Sequence, residues 1–370
     1  MRIPRFKLER FFAEHEFSVE HMLSGSDCES IAMEEILALE PGARERFDRL
    51  WLGYTESQGN PSLRREIARI YETIDADDVI VHAGAEEGIF LFMHAALESA
   101  DHIIVHWPCY QSLFEVAKSI GCDVSRWEAR EADGWALDVG ELERLICPNT
   151  KAIVLNVPHN PTGYLMSREA FDAVGQIARE NKIVLFSDEV YRESEYDPAD
   201  RLPAGCDLGP HGVSLGVLSK TYGLPGLRLG WVATRDAAVR TRIVELKDYT
   251  TICTSAPSEF LAEIALRHRD ELVFRNLGII ADNLALLDPF FERHRDLLRW
   301  VRPSAGAIAF PRLLRGDVEV FWRSLVEEVG VLLLPGSVFD DRENHFRIGF
   351  GRASLPAALD QLDGFLAEQA

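Results

Sequence analysis

Short apolar runs alternate with longer amphipathic ones through the middle of the chain. Val79–Ala83 is apolar and β-branched, which predicts a strand, and Gly84–Ser99 behind it predicts a helix. The same pattern predicts strands at His102–His106, Cys122–Trp127, Lys151–Asn156, Ile183–Ser187, Val213–Leu218 and Leu227–Ala233. Helices are expected at Asp138–Ile146, Arg168–Asn181, Ala237–Asp248 and Ser258–Arg267. Apolar strands alternating with helices predict a mainly parallel sheet covered on both faces. After about residue 268 the pattern changes. A long helical stretch runs from Asp270 towards His294. Short strands follow near Leu298–Val301, Ala307–Phe310, Gly330–Leu334 and His345–Phe350, with helices at Val318–Glu328 and Leu355–Glu368. This predicts a smaller α/β domain. The first forty residues, a helical start and a loop, are expected to pack onto it.

Charge narrows the partners. Among the 370 residues, 60 Asp and Glu face 39 Lys and Arg, a formal net charge of −21. That argues against a broad attraction to nucleic acid or to anionic lipid, but leaves room for a small basic pocket. The start is charged, and the most apolar stretches, Gly88–Leu97 and Val329–Leu334, are too short for a membrane span. Six scattered cysteines fit neither a disulfide framework nor a zinc site, so a cytoplasmic compartment is expected.

Four segments carry candidate chemistry, each just past an expected strand. In Ser214–Trp231, Lys220 enters a loop rich in Gly and Pro, and Arg228 follows eight residues later. A desolvated lysine has a lowered pKa and forms Schiff bases with carbonyls. Ser219-Lys220-Thr221 also resembles the end of a P-loop, which requires Gly where Ser219 stands. Asn160-Pro161-Thr162-Gly163 is a turn-forming string. Asp188 ends an apolar strand, where open α/β sheets bind ligands. Gly84-Ala85-Glu86 opens a helix whose N–H groups suit a phosphate. Taken singly, each also reads as an ordinary loop, cap or turn.

Together, in this order, the segments resemble the fold-type I pyridoxal-phosphate enzymes, and specifically the class I/II aminotransferases, over nearly the whole chain. The resemblance implies a large domain, residues 43–268, with a mainly parallel seven-stranded sheet in an α/β/α sandwich. It implies a smaller α/β domain from both chain ends, residues 1–42 and 269–370. Lys220 would hold pyridoxal 5'-phosphate as a Schiff base and move protons. Asp188 would pair with the ring nitrogen, Tyr191 and Asn160 would bond the phenolic oxygen, and Tyr110 would stack on the ring. Gly84, Ala85, Glu86, Ser219 and Arg228 would hold the phosphate. Tyr54 would reach the phosphate of a second subunit's cofactor in a homodimer. Arg347, with Gly25 and Asn160, would bind the substrate. Val217 departs from the pattern, because many relatives carry a hydroxyl there. Ser219, Thr221 or a residue elsewhere is expected to compensate.

The implied activity is transfer of an amino group between an amino acid and a 2-oxo acid by a ping-pong mechanism. The alternative is a lyase or cyclase that keeps Lys220, Asp188 and Arg347. Lys7–Phe12 and Ser24–Cys28 are similar to the capreomycidine synthases, a cyclising branch of the group. A non-catalytic regulator on the same fold is disfavoured, since only about forty residues precede the Tyr54 region and the chain is acidic. His15-Glu16 has Val19 where a zinc-protease string needs His, and His268-Arg269-Asp270 lacks the other parts of a kinase. The loop acids Asp27 and Glu29 would favour a cationic substrate if they face the site, but they read more readily as a solvated loop.

Overall fold

A computed structural model describes residues 3–368. The central sheet has seven strands: β1 (Val79–His82), β2 (His102–Trp107), β3 (Asp123–Glu128), β4 (Thr150–Asn156), β5 (Val184–Asp188), β6 (Gly212–Val217) and β7 (Gly230–Thr234). Their order across the sheet is β1-β7-β6-β5-β4-β2-β3. Only β7 runs antiparallel to its neighbours. Its link from β6 is a short loop without a crossover helix, so the chain turns back on itself. Residues 225–227 form a single 3-10 turn, and Arg228 is left-handed at φ 50°. That is why β7 begins three residues after the expected Leu227.

Side chains alternate between faces along the strands. Ile80, Ile103, Val105, Val154, Phe186 and Leu215 pack with Phe92 and Met93 on one face. Ile104, Ile153, Leu155 and Leu185 meet Phe171, Val174 and Ile177 of helix Arg168–Asn181 on the other. Ser167 caps that helix by accepting from Ala170 N–H. The helix Ser112–Ile120, not expected from the sequence pattern, covers the first face between β2 and β3.

The smaller α/β domain draws on both chain ends. His21–Met22 pairs with Val331–Leu332 in parallel, and Phe346–Gly349 lies between Ile308–Ala309 and Leu334–Pro335. Packing crosses both expected boundaries. Ile36 and Leu37 join Leu261, Ala262 and Leu266 beside the large sheet, not the smaller domain. Helix Arg269–Arg293 starts in that cluster with Leu272 and Val273 and ends with Phe290 and Phe291 in the core of the smaller domain. No described helix is long and apolar enough to cross a membrane.

Candidate active site

The strand order reverses around β2, whose neighbours are β3 and β4. Crevices of this kind bind ligands beyond the carboxyl ends of the strands. Here the crevice is a cavity of about 330 Å³ between the two domains. The loops after β2, β4 and β6 bring Tyr110, Asn160 and Lys220 to its walls, and the last residue of β5 brings Asp188. Tyr191, Ser219 and Val217 line it as well.

Lys220 Nζ donates to Ser26 Oγ at 2.8 Å. Protein atoms crowd this ammonium although part of the residue faces the open cavity. Burial lowers its pKa, against the pull of Asp27, so the neutral amine becomes easier to reach. Asp188 is 4% exposed, and its Oδ1 accepts from Val190 N–H at 3.2 Å. Burial pushes its carboxyl up to about 7, with the Val190 bond and Lys220 opposing. The folded, cofactor-free protein thus keeps a proton that the unfolded chain releases near pH 4. This group's contribution to stability therefore falls as pH rises from about 4 to about 7, and stays low above. Between pH 5 and 8, the melting temperature of cofactor-free Asp188→Asn protein should gain at least about 2 °C on the native protein. A constant difference across that range would refute this assignment.

Arg347 is 1% exposed on strand Phe346–Gly349. Its Nη1 donates to Asn160 Oδ1 at 3.1 Å and its Nη2 to the Ser24 carbonyl at 2.7 Å, while Nε has no partner. No carboxylate pairs with it among the described residues. Burial lowers its pKa, with Tyr191 and Asp27 opposing. The strand approaches Ser24 and Gly25 through a glycine contact. A Cβ on Gly349 would lie 1.7 Å from the Gly25 carbonyl oxygen. Gly25 lines the cavity beside Arg347.

At the other end, Gly84 precedes helix Ala85–Ala96 with φ 88°. A Cβ there would sit 3.1 Å from Arg228 Nη2, so the guanidinium lies against the helix start. The first N–H groups of a helix have no partner within it. Ala85, Glu86 and Arg228 line the cavity, which makes an anion cradle in an acidic protein. Ser219 is beside it. Thr221 Oγ1 is buried without a partner, but Thr221 is not among the lining residues.

The arrangement fits pyridoxal 5'-phosphate. Tyr191 Oη is buried in the wall without a hydrogen-bond partner, Ser26 being near but outside hydrogen-bond geometry. Asn160 Oδ1 is taken by Arg347, which leaves its amide nitrogen as a donor. Asp188 is a buried carboxylate suited to a ring cation, and the cradle suits a phosphate. Tyr54 is elsewhere: it is 85% exposed and outside this cavity.

The sequence pattern missed the roof. Helix Lys7–His15 lays Leu8, Glu9 and Phe12 over the cavity, followed by Glu16. Tyr110 Oη donates to Glu9 Oε1 at 3.0 Å, and its ring lies 5.1 Å from Phe6. Asp27, read above as solvated, is a wall residue that holds Arg352 through contacts of 2.9, 2.9 and 3.2 Å. The apolar positions Leu8, Phe11 and Phe12 on one face of the first helix were the available signal.

Sheet order, buried lysine and anion cradle together suit a pyridoxal-phosphate enzyme. Comparison with known proteins agrees. The profile of the family "Aminotransferase class I and II" matches residues 27–362. Capreomycidine synthase of Streptomyces vinaceus is 30% identical over 362 residues, 94% of this chain and 90% of its own. An aspartate aminotransferase of Pyrococcus horikoshii is 31% identical over 344 residues, 88% of this chain and 86% of its own. A crystal structure of a PLP-dependent aminotransferase from Streptococcus suis superposes with a TM-score of 0.94 at 32% identity, over 100% of this chain and 99% of that one. The PLP-dependent cyclase OrfR gives 0.92 at 33% identity, again over 100% and 99%. The chain belongs to the class I and II aminotransferase family. It is a pyridoxal-phosphate-dependent enzyme with the fold-type I architecture.

Proposed function

We propose that the protein moves an amino group between an amino acid and a 2-oxo acid. The observation that carries this reading is the convergence of Lys220, Asp188 and Arg347 on one cavity. Bound cofactor supplies an electron sink for negative charge at the substrate α-carbon. Lys220 would anchor the cofactor, and its free Nζ would take the α-proton. Its burial favours the neutral amine that this step needs. Asp188 holds the proton on the ring nitrogen. Tyr191 Oη and Asn160 Nδ2 would donate to the phenolic oxygen. Arg228 and the N–H groups of Ala85 and Glu86 face the phosphate. Arg347 offers a fork to the α-carboxylate, and Asn160 ties that fork to the cofactor's edge. The same groups serve both halves of a ping-pong cycle.

The substrate side chain is cationic in this reading. Glu9, Glu16 and Asp27 stand at the roof and wall, and Arg352 is committed to Asp27. Among the described residues, no arginine of the wall is left for a second substrate carboxylate. Burial raises the Glu16 pKa, Arg352 lowers it, and Asp27 and Glu9 raise it again, so an ammonium or guanidinium would relieve the site. The experiment is a panel of amino acids scored by the absorbance change of the bound cofactor. Amino acids with cationic side chains should react fastest, and Glu16→Gln should cut that preference by about tenfold. Aspartate or phenylalanine reacting best would sink the charge argument.

A second reading, a cyclase or lyase, draws support from the likeness to capreomycidine synthase and to OrfR. The same spectra separate the two. An aminotransferase accumulates the cofactor's amino form with amino acid alone, whereas a cyclase or lyase restores the starting band without any oxo acid.

The working unit is a homodimer. Trp51, Leu52, Tyr54 and Tyr249 are all more than three-quarters exposed. Thr55 Oγ1 donates to the Thr254 carbonyl at 3.0 Å, so these segments form one patch. Apolar patches of this kind mark interaction surfaces. A sedimentation mass near 41.7 kDa would rule the dimer out.

A further inference from the structure

A second groove lies beyond Trp107, between the edge of the large sheet and the smaller domain. It contains a carboxylate that the site above does not use. Glu131 opens a 3-10 turn, Glu131–Asp133, just after β3. Its side chain is 6% exposed. Three basic side chains of the smaller domain converge on its Oε2: Arg312 Nη1 at 3.3 Å, Arg299 Nη1 at 3.7 Å and His345 Nε2 at 3.8 Å. The other oxygen, Oε1, is buried without a partner.

Arg299 and Arg312 are register partners on the antiparallel pair Leu298–Arg299 and Arg312–Leu313. Like charges directly opposite each other destabilise a strand pair. Here one carboxylate from the other domain serves both. Asp341 Oδ2 holds the far side of His345 at 3.1 Å, and Glu343 lies 3.8 Å from Arg312.

The same turn carries Trp135, a buried residue held in the left-handed region at φ 67°. A bulky residue keeps such a conformation only where its surroundings impose it. The surroundings are Phe310 at 5.8 Å and His345 at 5.2 Å, and those two rings stack on each other at 5.0 Å. The turn therefore inserts a carboxylate and an indole into a socket built by the smaller domain.

The socket ends at the active site. His345 directly precedes strand Phe346–Gly349 and lies two residues before Arg347. Side chains two apart on a strand share a face, about 7 Å from each other. We propose that the Glu131–Trp135 turn is the plug that sets the strand bearing Arg347 against the large sheet. Glu131 is then a positioning residue for substrate carboxylate binding. The proposal rests on the reading of Arg347 as the α-carboxylate site.

The test uses the cofactor-loaded enzyme and an α-methyl amino acid, which binds but has no α-proton to lose. Glu131→Gln keeps the shape and removes the shared anion. Its calorimetric Kd for the α-methyl amino acid should rise about tenfold, with normal cofactor content. The corresponding amine without a carboxylate should bind native and variant protein equally. In an Arg347→Ala background, Glu131→Gln should add nothing. Unchanged binding of the amino acid, equal weakening of the amine, or additive losses in the double variant would each overturn the proposal. If Glu131→Gln folds poorly, Arg312→Gln removes the pairing from the other side with the same expectations. Arg347→Ala that binds the α-methyl amino acid normally defeats the carboxylate reading and the plug together. A damaging Arg347→Ala beside a neutral Glu131→Gln defeats the plug alone.

Discussion

Lys220→Ala should leave a folded protein in which borohydride fixes no cofactor to the chain, with turnover at least about 10⁴-fold slower. Folding should survive because the turn is held by the main chain. The Lys220 carbonyl accepts from Gly223 N–H at 3.0 Å and Cys28 N–H at 3.4 Å. The side chain contributes one hydrogen bond, to Ser26. Among the described lysines, Lys220 alone lines the cavity. Lys247 is also buried, but it donates to Thr251 Oγ1 at 2.8 Å outside the cavity wall. Peptide mapping after borohydride reduction identifies the labelled lysine. A mark on Lys247, or a cofactor adduct surviving in Lys220→Ala, would remove Lys220 from its role. Added methylamine should restore part of the rate, since the missing group is an amine and the cavity keeps its other contacts.

What the sequence made legible follows the range of the forces involved. Apart from the edge strand β3, where only Trp127 is buried, the strands of the central sheet are short apolar runs largely buried on both faces, so composition within five or six residues announces them. Lys220, Asp188 and Asn160 stand just past such runs, where a parallel sheet places its ligands. The roof of the cavity is a different matter. Tyr110 and Glu9 are 101 residues apart, and Asp27 and Arg352 are 325 apart. No local pattern encodes such pairs, and charged residues in a loop read as solvated until the opposite partner is seen. The same holds for Glu131, whose three basic partners come from beyond residue 298. Its neighbour Trp135 shows a conformation that its residue type disfavours, and only packing explains it. The domain limits blur for a related reason. Helix Arg269–Arg293 is continuous, so its sequence marks no border where it leaves one core and enters the other.

Arg347→Ala should raise the KM for the amino acid by about 30-fold to several thousand-fold while leaving cofactor content nearly unchanged. A guanidinium that is 1% exposed and pairs with no carboxylate among the described residues is costly to keep. Hydrogen bonds to Asn160 and the Ser24 carbonyl satisfy two of its nitrogens, and Nε remains unpartnered. In the proposed reading the missing counter-ion is the substrate's own carboxylate, since the fork geometry suits two parallel bonds to one. Arg347→Lys keeps the charge and loses the fork, so its KM should fall between those of the native and alanine proteins. The unpaired charge also predicts a gain. Arg347→Met, of similar volume, should melt at or above the temperature of the substrate-free native protein even as substrate binding fails, because function and stability pull apart at such a site. A lower melting temperature with an unchanged KM would mean the opposite: Arg347 would be a structural clamp on Asn160, and the substrate carboxylate would have to bind elsewhere.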